Sequence, residues 1–382
     1  MSFNLSVKTV MIILLTTLFS TIGNFAGAGP KEFRVSNWLP DSVPLVKYAY
    51  IEWAEELEVR SKGDLKAEVF TGSVLLPPAA HLSGIRDGVV DIGYHAGTYT
   101  PADLPLDNVL AQVAISYSDN YVAMLAVTDL NMNESDLQQQ WDRHNIVFGG
   151  GYATIPFRLF CKTPVISLTD IKGKKMRMTG SVHSDWAKHV GAVPVNVPSS
   201  EMYSGLEKGQ LDCASNTIAQ LKASSLWDVS KHTSMVELGI YYAGYLYGIN
   251  KDFWKSLSLQ QRRTLFDSFS LSIARTMIGY SKAEDTVMTE AVTKGVILHE
   301  PASDLAGSIS EYKTVAREAA IKIGKERFRL DDPENLISRF EASVKKWEKL
   351  LQGIDRSDEI ALSALIKAEI YDKIDVKTYG IH

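Results

Sequence analysis

The chain has 382 residues, with 40 lysines and arginines against 45 aspartates and glutamates, a formal net charge of -5. Apolar residues at 45% and charged residues at 22% are ordinary for a globular protein and exclude a disordered or fibrous chain. A slightly acidic balance without a long basic block carries no electrostatic footprint for nucleic acid, and the length exceeds what one core sustains, so about two domains are expected.

Lys8 is the only charge before Lys31, and it precedes an apolar run from Val10 to Phe19 interrupted only by Thr16 and Thr17. Ala26-Gly27-Ala28 then supplies small residues at the positions a signal peptidase reads, so residues 1–28 read as a secretory signal peptide cleaved after Ala28. The run is too short and poorly flanked for a membrane span, and no later segment offers about 20 uninterrupted apolar residues.

Glu32–Trp38 reads as a strand, Leu45–Arg60 as a helix, Leu65–Phe70 as a strand, Ala79–Arg86 as a helix and Val89–Tyr94 as a strand. The same grammar returns with strands at Asn145–Gly149, Phe157–Cys161 and Lys175–Met178. A helix at Ser184–Val190, an extended Val193–Val195, a helix at Glu201–Glu207 and a strand at Leu211–Ala214 follow. Strands alternating with helices imply an α/β fold with largely parallel sheets. A Gly-x-(Val/Leu)-Asp unit occurs twice, at Gly88–Asp91 and Gly209–Asp212, and is expected to put a polar residue at the carboxyl end of a strand, where open α/β sheets bind ligands. From Leu259 to Lys294 only Gly279 breaks an apolar spacing of three and four, which predicts one helix long enough to brace two domains. Pro333–Leu351 is a further amphipathic helix.

The only two cysteines, Cys161 and Cys213, form no Cys-x-x-Cys pair, so zinc and redox motifs are absent. Two small buried thiols are the favoured reading, and spacing leaves a single bridge open. No nucleophile elbow, His-Glu-x-x-His, P-loop or dinucleotide fingerprint occurs. His183 and His189 flank Asp185 at a spacing that puts no two imidazoles on one helical face, so neither a metal nor another cofactor is expected. Arg177, flanked by Met176 and Met178, is expected at the cleft between domains. Residue type alone leaves it either a clamp for a ligand carboxylate or half of a structural ion pair.

Several stretches resemble the solute-binding proteins of tripartite ATP-independent periplasmic (TRAP) transporters, the DctP-type family. These are Leu168–Arg177, Gly191–Asp212, Asn250–Leu257, Lys294–Pro301, and Phe70 with Gly72, Leu75 and Gly88–Gly93. The resemblance implies a two-domain, periplasmic-binding-protein-like (class II-like) α/β fold closing on its ligand around a long domain-spanning helix. The implied domains are 29–155 plus about 243–282, and 156–242 plus about 283–330, with 331–382 a helical segment packing across them. It further implies periplasmic capture of a small organic acid and its delivery to membrane permease subunits, without catalysis. Arg177 takes the place of the carboxylate clamp and Asn216 that of its hydrogen-bonding partner. Tyr242 stands where many members carry a ligand-facing aromatic, and Trp38, Tyr94 and His95 fall on strand-end loops at the cleft. Packing for Trp38, Tyr94 and Tyr242, and loop exposure for His95, are the alternatives. Some members carry a second arginine about twenty residues before the clamp; the nearest here is Arg158, one position off. Cys213 and Ser215 stand where Gly and Glu are frequent, and the tail after Leu351 matches nothing in the family. Two rival functions stay open: a secreted enzyme using His95 or His183 as base, and a ligand sensor feeding a receptor.

Overall fold

The computed structural model describes residues 30–381, so the signal segment and its cleavage position lie outside the described residues. Among the described residues no helix is long and apolar enough to cross a membrane.

Two sheets organise the chain. The first contains β1 (Lys31–Ser36), β2 (Leu65–Phe70), β3 (Ile92–Ala96), β4 (Ile146–Gly150) and β10 (Gly244–Asn250), in the order β2-β1-β3-β10-β4. The second contains β5 (Arg158–Cys161), β6 (Lys175–Arg177), β7 (Val193–Val195), β8 (Cys213–Asn216), β9 (His232–Ser234) and β11 (Ile297–His299), in the order β11-β9-β5-β8-β6-β7. β1, β2 and β3 are parallel, as are β6, β7 and β8, while β10 and β5 run antiparallel to both of their neighbours. Each antiparallel strand is the one the chain enters directly after crossing from the other unit. The inner strands β3, β5, β8 and β10 and the edge strand β4 are buried along their whole length, as sheets covered on both faces require.

The repeated Gly-x-(Val/Leu)-Asp unit does a different job from the expected one. Both aspartates lie at the amino end of a strand, because β3 and β8 start later than the apolar runs suggest. The Asp91 carboxylate accepts the Arg34 backbone N–H at 2.7 Å while its own N–H donates to Arg34 O; Asp212 does the same with Lys175. Each therefore stitches its strand to a neighbour and leaves the far strand end free to face the cleft.

The helix Leu259–Thr293 has 35 residues, about 52 Å at 1.5 Å per residue. It is capped by Ser258 and Gln261, and the expected stripe Leu265, Phe269, Ile273 and Met277 is buried. Gly279 is needed because the Tyr48 ring lies over it: a Cβ would sit 2.1 Å from a ring carbon. Asn120–Asn133 gave no helical stripe in the sequence because every residue from Asn120 to Met132 is buried, so no polar face marks it. Beyond Leu330, helices Pro333–Leu350 and Glu359–Glu369 anchor the tail on the first unit. Lys346 pairs with Asp129 at 2.6 Å, Tyr371 donates to Gly149 O and Tyr379 to Phe148 O, both at 2.8 Å. Pro333–Leu350 also lies against Ser303–Glu326.

The chain crosses between units through 151–157, through 235–243, along the long helix and back along Ser303–Glu326. The first two crossings are zipped together: Thr154 N–H donates to Tyr241 O at 2.9 Å, Phe157 N–H to Gly239 O at 2.8 Å, and Leu238 N–H to Phe157 O at 3.1 Å. The second ends at Gly244, whose φ of +85° and a would-be Cβ 2.0 Å from His95 O admit only glycine. The buried carboxylate of Asp107 accepts the Gly244 N–H at 2.8 Å.

Cys161 and Cys213 form a disulfide rather than two thiols. The antiparallel register of β5 and β8 puts them directly opposite one another, which spacing along the chain does not reveal. Closing a segment with a sequence separation of 52 restricts the unfolded chain, a stabilisation of about 4 kcal/mol in the chain-entropy account. The Cys161→Ser/Cys213→Ser double variant is therefore expected to lose about 2–5 kcal/mol in urea unfolding; a loss under about 1 kcal/mol would contradict this.

Candidate functional site

Arg177 ends β6, where the register sets it beside Ala214 of β8. Its Nη1 donates to Ser215 O at 2.7 Å and its Nε to Val197 O at 3.1 Å, while Ser215 Oγ donates back to Arg177 O at 3.0 Å. The side chain is thus fixed by neutral carbonyls of the following strand and of the loop after β7. It is 1% exposed, yet among the described residues no aspartate or glutamate pairs with it. A buried guanidinium without a counter-ion is costly, and this one lies in the wall of a cavity between the two units.

That cavity is narrow, with about 40 Å³ of free volume. The first unit supplies Trp38, Leu39, Tyr94, Ala96 and Tyr99; the second supplies Arg177, Thr179, Ser199, Asn216, Thr217 and Gln220. The crossings complete it with Thr154, Phe157 and Tyr241, and the long helix with Tyr280. Three of the four connections between the units therefore touch the site. The cleft is shut: Tyr99 OH accepts the Ser199 N–H at 3.2 Å, and Gln112 Nε2 donates to Ser181 Oγ at 2.6 Å across it. Burial pushes the Tyr94, Tyr241 and Tyr280 phenols far up, so these walls stay neutral.

Four expected residues come together here: Trp38, Tyr94, Arg177 and Asn216. Trp38 and Tyr94 stack with ring centroids 4.3 Å apart. Asn216 Oδ1 accepts the Thr217 N–H at 2.8 Å. Three others do not line the cavity, and each is the immediate neighbour of a residue that does. His95, next to Tyr94, turns its Nε2 to Thr100 Oγ1 at 2.8 Å. Tyr242, next to Tyr241, packs on Phe340 at 5.1 Å. Arg158, next to Phe157, is bound to Glu237 at 3.1 Å and Glu284 at 3.5 Å. Successive side chains of extended backbone point opposite ways, so an offset of one reverses the assignment. Alternation was the signal that would have picked Phe157 and Tyr241. Nothing local marks Tyr280, which reaches the site because the long helix passes beneath it.

His183 is buried with Nδ1 2.9 Å from Thr179 O and Nε2 2.8 Å from Leu238 O, so both ring nitrogens face backbone carbonyls. Among the described residues no group of three or more His, Cys, Asp or Glu is placed to hold a metal.

The sequence profile of the bacterial extracellular solute-binding proteins, family 7 (DctP), matches residues 35–322. The chain belongs to that family. A solute-binding protein of Albidiferax ferrireducens is 25% identical over 281 residues, 71% of this chain and 78% of its own. The C4-dicarboxylate-binding periplasmic protein DctP of Shewanella loihica is 23% identical over 282 residues, 69% of this chain and 77% of its own. Among solved structures, a TRAP periplasmic solute-binding protein of Bordetella bronchiseptica with bound mandelate superposes with a TM-score of 0.71 at 24% identity. The match covers 83% of this chain and 99% of that one. The two-domain α/β architecture is thus that of TRAP solute-binding proteins, and the family binds solutes for transport rather than transforming them.

Proposed function

We propose that this family 7 protein captures a small organic acid between its two units, with Arg177 taking the carboxylate in a two-pronged grip beside Asn216. The observation that carries this is the buried guanidinium without an internal counter-ion in the wall of an interdomain cavity. A carboxylate would supply the missing charge and accept N–H groups not engaged by the two carbonyls. Because both units and three of their connections line the cavity, a ligand makes its full set of contacts only when the cleft is shut, and binding shifts the open–closed equilibrium toward closed. The closed form is what TRAP permease subunits would recognise. The apolar run at Val10–Phe19 with its Ala26-Gly27-Ala28 site supports export to the periplasm, where delivery takes place.

Capture is favoured over turnover because neither histidine available as a base faces the cavity: His95 and His183 are both committed within the fold. The test is calorimetry and thermal shift of the mature protein against an organic-acid library, with small-angle scattering for closure. A binding acid should raise the midpoint, since ligand at 100 times its Kd adds about 2.7 kcal/mol, and should compact the protein. New product by mass spectrometry, or binding of neutral compounds in preference to acids, would overturn this reading.

A further inference from the structure

We infer that the ligand is an aromatic monocarboxylic acid bearing one further hydrogen-bond acceptor; this rests on the carboxylate reading of Arg177 and adds the rest of the molecule.

The charge count comes first. Among the described residues, Arg177 is the only charged side chain in the lining. The next guanidinium, Arg158, lies outside the lining, and its charge is met by Glu237 and Glu284 through Nη2. A second carboxylate on the ligand would be buried against phenols and hydroxyls with no cation to meet it, which is strongly disfavoured.

The shape of the wall comes next. Trp38, Tyr94, Tyr99, Phe157, Tyr241 and Tyr280 contribute six aromatic rings to the lining of this narrow cavity. Several are locked by their neighbours: Trp38 stacks on Tyr94 at 4.3 Å, and Phe157 lies nearly parallel to Tyr241 at 6.1 Å and 14°. Rigid ring faces suit a flat apolar body.

Several polar atoms of the wall are already engaged within the fold. Thr154 Oγ1 already accepts the Tyr241 N–H, Gln220 Oε1 accepts from Ser224 Oγ, Asn216 Oδ1 from Thr217 N, and Tyr241 OH shares a hydrogen bond with Thr98 Oγ1. Two fully buried lining atoms stand out among the described residues. Trp38 Nε1 and Thr179 Oγ1 are buried with no hydrogen-bond partner. Buried polar atoms are rarely left so, and in a ligand cavity they mark where the ligand bonds. Thr179, two residues after Arg177, belongs to the carboxylate end. Trp38, on the opposite unit, can only donate, and so calls for an acceptor such as a hydroxyl or carbonyl oxygen.

The test is calorimetry on the mature protein with benzoate, 3-hydroxybenzoate, mandelate, succinate, glucuronate and benzyl alcohol. One or more of the three aromatic acids is expected to bind at least about tenfold more tightly than succinate and glucuronate, which corresponds to 1.4 kcal/mol. Trp38→Phe keeps the ring and removes the donor. It should weaken 3-hydroxybenzoate or mandelate by about fivefold to tenfold and benzoate by much less. Preference for succinate or glucuronate would overturn the aromatic assignment and leave the carboxylate grip intact. Benzyl alcohol binding as well as the acids would overturn both. Failure of all three aromatic acids to bind, or an equal effect of Trp38→Phe on every ligand, would overturn the proposal in whole or for its acceptor.

Discussion

Arg177→Lys is expected to weaken carboxylate binding by about 100-fold, although the charge is kept. The guanidinium is planar and already anchored on Val197 O and Ser215 O, so its remaining N–H groups are presented in a fixed direction. Lysine replaces that fork with one flexible ammonium that cannot hold both carbonyls and still meet two carboxylate oxygens in parallel. The loss of one or two charge-assisted hydrogen bonds, each about 1.5–3 kcal/mol, sets the magnitude. Arg177→Met removes the charge as well and should abolish measurable binding. Stability separates this from a structural role. Breaking a buried internal ion pair costs about 3–5 kcal/mol, but Arg177 has no carboxylate partner among the described residues, so neither variant should show a loss of that size in the empty protein. Calorimetric affinity for one acid, measured beside urea unfolding of the three proteins, reads both quantities. An unchanged Kd in the lysine variant would remove Arg177 from the site.

What the sequence disclosed follows from the range of each interaction. The long helix was legible because its apolar stripe is local, and Arg177 because a lone charge between two methionines is hard to place on a surface. The cysteine bridge was not legible, since it depends on the register between β5 and β8, set by pairing 52 residues apart. Nor were the fully buried helix Asn120–Asn133 and the cross-unit strand β10, where burial on every side erases periodicity. In the cavity, Trp38, Tyr94, Arg177 and Asn216 line the wall, whereas His95, Tyr242 and Arg158 each stand one residue from a lining position. Sequence places a segment at a cleft more readily than it fixes which face of extended chain looks in.

Acidification is expected to destabilise the empty protein between about pH 6.5 and pH 4, with no ion pair involved. Burial lowers the pKa of His81 to about 4 and, with the nearby charge of His81 adding to it, that of His95 to about 3; burial also lowers His183. In this window the unfolded chain takes up protons on these rings while the folded chain does not, so stability falls as the pH drops. Asp107 works the other way. Burial raises its pKa to about 7, so the folded protein holds a proton there that the unfolded chain has released, a contribution present at low pH and lost as pH rises through 7. His81 and His95 each contribute about 1.5 kcal/mol of loss on going from pH 6.5 to pH 5 and His183 adds in the same direction, against Asp107 and the burial-raised carboxyls of Asp91 and Glu284. Urea unfolding at pH 7.5 and pH 5 should therefore show a net loss of a few kcal/mol, reduced by His95→Gln and enlarged by Asp107→Asn. The Asp107 variant carries the sharper information, because its carboxyl holds the Gly244 N–H where the second crossing enters β10. A profile that is flat over this range, or one that Asp107→Asn leaves unsteepened, would mean that these groups titrate as they do in water.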